Sequence, residues 1–157
     1  MIKKRLVKEE ALQKLRHYCS YQERSHKEVK EKLYSFGLSK QDVEESISSL
    51  IAEDYLNEER YAQSFARGHF RTKHWGKVKI VYELKQKGVS AYCIQRALNE
   101  IDDGEYEKTL INLISKKASI LPKNGKKYII RQKIADYVMQ KGYEGTLVQR
   151  LLTELGH

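Results

Sequence analysis

The chain is short of the residues that interrupt helices and of those that build covalent or metal-bound scaffolds. It has one proline in 157 residues, Pro122, and two cysteines. With a single proline, and with Leu, Lys, Glu and Gln plentiful, the composition predicts an all-α fold. Cys19 and Cys93 stand far apart, form no CxxC pair and each fall in a predicted helix. That excludes a zinc-ribbon pattern and a secreted disulfide framework, and it predicts a reducing, cytoplasmic setting. No apolar run approaches the ~18 residues of a membrane span. The start, MIKKRLVKEEALQKL, is basic but has no apolar segment of signal-peptide length, so a soluble, unprocessed protein without membrane association is expected.

Catalytic signatures are missing as well. His17, His26, His69, His74 and His157 show no HExxH or similar ligand spacing, and there is no GxxxxGK[ST] phosphate loop. No grouping of Ser, His and an acid can be argued from position. Glu58 and Glu59 are read as first-turn partners of a helix dipole rather than as catalytic carboxylates. No enzymatic turnover, metal or cofactor is expected. Acids are outnumbered too: 30 Lys and Arg face 21 Asp and Glu, giving a net charge of +9 and a pI near 9.4. Polyanions or an acidic protein groove are the partners such a balance favours.

What is present is organised around residues 56–88, LNEERYAQSFARGHFRTKHWGKVKIVYELKQKG. Asn57 is a good N-cap, and Glu58 and Glu59 suit the positive end of a helix dipole. Tyr61, Ala62, Phe65, Ala66 and Phe70 make an apolar stripe. Gly76 breaks the pattern. A second stripe of Val78, Ile80, Val81 and Leu84 then runs to Gly88, a stop where positive φ is needed. Upstream, Ala11, Leu12, Leu15, Tyr18 and Cys19 repeat at helical spacing; Ser25 with Glu28 forms a capping box before Val29 and Leu33; Gly37 ends that helix. Ser39 caps a third, with Val43, Ile47, Leu50 and Ile51 as its buried face.

The pattern repeats. Laying Gly37 on Gly88 also lays Val29 on Ile80, Leu33 on Leu84, Ser39 on Ser90, Val43 on Ile94 and Ile47 on Leu98. Laying Gly88 on Gly142 matches Ile134, Val138, Val148 and Leu152 in turn, with only the cap lost, at Glu144. Three tandem three-helix repeats follow, at 1–55, 56–102 and a divergent 103–157, the last with a longer link through Ile120, Leu121 and Pro122. Helices this short cannot bury their stripes alone, so each trio makes a small core and leans on its neighbour in an elongated, curved array.

The cationic surplus rises along the chain and gathers in two runs, Arg67 to Lys87 and Lys116 to Lys133, around the link between first and second helices. In a stacked array the runs merge into one basic stripe. Its contact residues are expected to be Arg67, Arg71, Lys73, Lys77, Lys79, Lys126, Lys127 and Arg131, with His69 and His74 as extra donors and Arg24 and Arg60 structural or peripheral. Trp75 and Tyr82 lie among these cations and could stack on bases; a Trp beside a Gly at a helix junction is a common packing solution, and Trp75 is read as plugging the joint between repeats. Val29 to Ile47 also has the outline of a DNA-binding helix-turn-helix. The helix after its glycine presents Gln41, Asp42, Glu44 and Glu45, the wrong sign for phosphates.

These residues resemble the RecX family, regulators of the RecA recombinase. The resemblance is carried by Arg24-Ser25 with Glu28 and Leu33, by Leu56 to Ala62 with Phe65 and Arg67, and by Gly76, Ile80, Glu83-Leu84 and Lys87-Gly88-Val89. Asn57-Glu58 stands where the family more often has paired acids. The resemblance implies an all-α protein of tandem three-helix repeats, a monomer without a cofactor. It would bind in the helical groove of the RecA filament on single-stranded DNA, block strand exchange and ATP hydrolysis, limit filament growth and dampen coprotease activity in DNA repair and the SOS response. Direct contact with the single strand stays open, and a general or sequence-specific DNA-binding protein is the alternative.

Overall fold

A computed structural model of the chain describes residues 6–157; the basic start around Lys3, Lys4 and Arg5 lies outside the described residues. Among these residues there are nine α-helices and no strand: α1 Lys8–Tyr21, α2 His26–Ser35, α3 Lys40–Ala52, α4 Glu58–Lys73, α5 Lys77–Gln86, α6 Ala91–Asn99, α7 Asp103–Ile120, α8 Lys127–Gln140 and α9 Gly145–Glu154. The all-α expectation holds. None of the helices is long and apolar enough to cross a membrane.

The local chemistry that starts and stops these helices is what the sequence announces. Ser25 accepts a hydrogen bond from the Glu28 amide, Ser39 from Asp42, Asn57 from Arg60, Ser90 from Cys93 and Asp102 from Glu105, each meeting one orphan N–H of a first turn. Glu144, where the alignment loses its cap, makes no side-chain cap bond. The glycines after α2, α5 and α8 have φ of 83° (Gly37), 74° (Gly88) and 100° (Gly142), the left-handed region that a Cβ disfavours. Asp54 and His74 enter the same region without being glycine, at 64° and 57°.

By spatial proximity the chain divides into two compact units: the described part of Met1–Ser64 with Leu84–Arg96, and Phe65–Glu83 with Ala97–His157. In the first, α1, α2 and α3 close on a core of Leu12, Leu15, Val29, Leu33, Val43 and Leu50. In the second, α7, α8 and α9 close on Leu110, Ile114, Ile134, Val138, Val148 and Leu152, all buried. Cys19 and Cys93 are buried free thiols.

Three sequence expectations need correction. Ile51 is 46% exposed, and Ser46 is buried in its place, because Val43, Ser46 and Leu50 fall on one helical face while Ile51 is turned about 100° beyond Leu50. Val78 is 53% exposed, since it precedes Ile80 by two residues and so sits about 200° around α5 from it. The capping box is half made: the Glu28 carboxylate accepts from the Tyr61 hydroxyl and pairs with Lys87.

Candidate interaction surface

The strongest concentration of functional side chains lies in the second unit, where α4 hands over to α5. The connection is only His74, Trp75 and Gly76. The amide of His74 donates to Phe70 O at 3.0 Å and that of Trp75 to His69 O at 3.3 Å, so the chain reverses at His74, whose φ is 57°, and closes back on the last turn of α4. The first turn of α5 is satisfied from outside: Gly76 N–H donates to Lys141 O at 2.8 Å, Val78 N–H to Gly142 O at 2.9 Å, and Lys77 N–H to the Tyr106 hydroxyl at 2.9 Å. A Cβ on Gly76 would stand 2.3 Å from the Gly142 carbonyl, so two backbones touch here. The Tyr143 hydroxyl donates to His74 O at 2.9 Å, and the Tyr106 hydroxyl donates to Glu144. Burial pushes both phenols well above their usual range, and for Tyr106 the bond to Glu144 adds to it.

The plug expected of Trp75 is thus supplied by Gly76 and Tyr143. Trp75, half-buried, packs back on α4 instead. Its ring lies 4.4 Å from His69 at 32°, and His69 lies 3.9 Å from Phe65 at 30°. Phe65 meets Trp75 edge-on at 6.1 Å. His69 Nδ1 is 2.9 Å from Phe65 O; a carbonyl only accepts, so Nδ1 carries the proton. Two lysines close on the indole, Lys79 Nζ at 4.6 Å and Lys73 Nζ at 5.4 Å from the ring centroid, within cation–π range.

The eight expected contact residues do not form one set. Lys73 and Lys79 meet at Trp75. Arg67 and Arg71 are exposed, but each follows a rung of the ladder, Phe65 and His69, by two residues and so lies about 200° around α4 from it. Lys77 is drawn inward, its ammonium 4.7 Å over the Tyr106 ring and 3.5 Å from Asp103. Arg131 is spent on α9, bonding Gln149 Oε1 at 2.8 Å and Thr153 Oγ1 at 3.2 Å. Lys126 and Lys127 are exposed where α8 begins, beside the positive end of its dipole. Arg24 and Arg60 make contacts inside the first unit: Arg24 lies 3.7 Å over the Tyr18 ring, and Arg60 pairs with Glu23 at 2.5 Å and Asp54 at 3.1 Å.

The roles of Phe65 and His69 escaped the sequence reading, which took Phe65 for core and His69 for a spare donor. Their i, i+4 spacing was available; the backbone reversal at His74, which returns Trp75 onto them, was not. The first unit holds a rival, an open groove of ≈1070 Å³ edged by Tyr18, Tyr21, Arg24 and Lys32. Glu9 and Glu10 at its rim give it mixed charge, poorly suited to a polyanion.

A family model described as RecX, second three-helix domain, matches residues 57–98, the stretch that includes the ladder. The "Regulatory protein RecX" of Clostridium perfringens (strain 13 / Type A) is 32% identical over 133 residues, covering 82% of this chain and 62% of that protein. The chain is similar to RecX proteins over most of its length. Another RecX relative, from Prosthecochloris aestuarii (strain DSM 271 / SK 413), is 29% identical over 145 residues, covering 92% of this chain and 93% of the relative. The crystal structure of RecX from Lactobacillus salivarius superposes with a TM-score of 0.86 at 26% identity, over 94% of this chain and 96% of that one. Several RecX relatives are longer, and this chain spans about half their length.

Proposed function

We propose that this RecX-like chain regulates the RecA recombinase by binding in the groove of the RecA filament on single-stranded DNA. There it inhibits strand exchange and ATP hydrolysis, limits filament growth and dampens coprotease activity, so modulating repair and the SOS response. The observation that carries this reading is the match to proteins named regulatory protein RecX over most of the chain. The cations support it. Arg67, Arg71, Lys73, Lys79, Lys126 and Lys127 make no ion pair among the described residues, Lys73 and Lys79 lying over the indole, so all six keep charge for acidic protein or for phosphate. Several weak contacts on one chain add through effective concentration, favouring an assembled filament over free RecA.

A general DNA-binding protein of helix-turn-helix type would present α3 or α6 to the duplex. α3 carries the acids Asp42, Glu44 and Glu45, the wrong sign for phosphate, and in α6 Arg96 is held at 2.5 Å by Glu59. The test is RecA's single-strand-dependent ATP hydrolysis during titration with this chain. Hydrolysis should fall at substoichiometric to stoichiometric amounts. Unchanged hydrolysis at molar excess would overturn the reading.

A further inference from the structure

We infer that Phe65, His69 and Trp75, with Lys73 and Lys79, form a stacking platform for an unpaired nucleobase of a single strand. The inference deepens the filament reading, which brings the chain to single-stranded DNA, by naming where a base is met. The three rings step along one flank of α4 at 3.9 and 4.4 Å with tilts of 30° and 32°, an offset stack whose outer member is the indole. The stack is rigidly held, because Gly76 and the Tyr143 hydroxyl fix the backbone on either side of Trp75. None of the three rings is fully buried.

The lysines decide the class of ligand. Two ammonium groups lie 4.6 and 5.4 Å from one indole with no acid paired to either among the described residues, on flexible stems that can swing aside. A single strand offers both parts of a better arrangement: a base to lie against the ring and a phosphate for each displaced ammonium. Double-stranded DNA keeps its bases stacked on one another and can use only the lysines. An acidic protein surface likewise engages the lysines and has no use for the ladder.

Trp75 is the only tryptophan, so intrinsic fluorescence reports on this site and no other. Titration of the full chain with oligo(dT) should quench it to a saturating level. Duplex of equal length should quench far less, and so should poly-glutamate. Trp75→Ala should weaken oligo(dT) binding, followed by anisotropy of a labelled strand, by roughly 5- to 100-fold, while Trp75→Phe stays within a few-fold of wild type. Lys73→Gln with Lys79→Gln should flatten the salt dependence.

Binding of oligo(dT) without quenching overturns the inference, as does equal quenching by duplex or poly-glutamate, no binding at all, or an unweakened Trp75→Ala protein. The wild-type quenching result stands even if Trp75→Ala fails to fold. RecA hydrolysis assayed in parallel separates the two readings. Inhibition without quenching removes the platform and leaves the filament reading, whereas quenching without inhibition supports the platform and removes the filament reading.

Discussion

At the scale of single residues, two glycines that look alike in the sequence have opposite requirements. Gly68 lies inside α4 with nothing within 4 Å of where a Cβ would stand, whereas a Cβ on Gly76 would meet the Gly142 backbone at 2.3 Å. Gly68→Ala should therefore stabilise the protein by up to about 1 kcal/mol, the helix-propensity difference. Gly76→Ala should destabilise it by on the order of 2 kcal/mol or more, because the Cβ is fixed to its own backbone and the atoms it meets are backbone, so neither can swing away. Urea denaturation of the two variants checks both signs at once. The buried tyrosines give a pH dependence. Tyr61, Tyr106 and Tyr143 have their phenols raised above the ordinary value of 10, first by desolvation. The unfolded chain then releases protons at about pH 10 that the folded chain still holds, so stability is full below that pH and falls as pH rises through and beyond it. Alkaline unfolding by circular dichroism should coincide with tyrosinate absorbance, and Tyr106→Phe should soften that alkaline loss. At neutral pH the same change should cost about 1–3 kcal/mol, because Lys77 N–H loses its acceptor and Glu144 its donor.

At the scale of elements, the three trios share an ion pair between their first and third helices. It is Lys8 with Glu45, Glu59 with Arg96, and Arg150 with Glu107. Laying Gly37 on Gly88 places Lys8 on Glu59 and Glu45 on Arg96, so the first trio has the pair with its charges exchanged. The position asks for opposite charges and is indifferent to their order. Arg96→Glu should lower the melting temperature, and Glu59→Arg with Arg96→Glu should bring most of it back, a double-mutant cycle with a positive coupling. A doubly reversed protein no more stable than the single variant would make the pair incidental. The element level is also where the sequence was most legible. Caps, glycine stops and i, i+4 stripes are local, so Ser25, Ser39, Asn57, Gly37, Gly88 and Gly142 could be placed from spacing alone. Side-chain fates settled by another element could not. That Lys77 turns in to Tyr106 and Arg131 to Gln149 depends on partners far along the chain, and a run of basic letters does not distinguish a solvated lysine from an occupied one.

At the scale of the whole molecule, the count of 30 Lys and Arg overstates what a polyanion can meet, because pairs such as Arg16 with Glu53 and Arg60 with Glu23 cancel cations against acids, leaving the net charge of +9. The cations left for a polyanion are those with no acid of their own. Each phosphate contact on a single strand releases counterions and steepens the fall of log affinity against log salt by about 0.7. If Lys126 and Lys127 touch the strand, Lys126→Gln with Lys127→Gln should flatten the slope on oligo(dT) by about 1.4, with helicity unchanged since both side chains are exposed. If they meet acidic protein instead, the slope on bare DNA should hold while affinity for the RecA filament falls. Lys77→Glu is a poor substitute for either test, because it would break the contacts to Asp103 and Tyr106 and confound binding with folding. The two slopes, on strand and on filament, thus assign each free cation to DNA or to protein. A variant that moves neither slope nor either affinity takes its residue out of the interface.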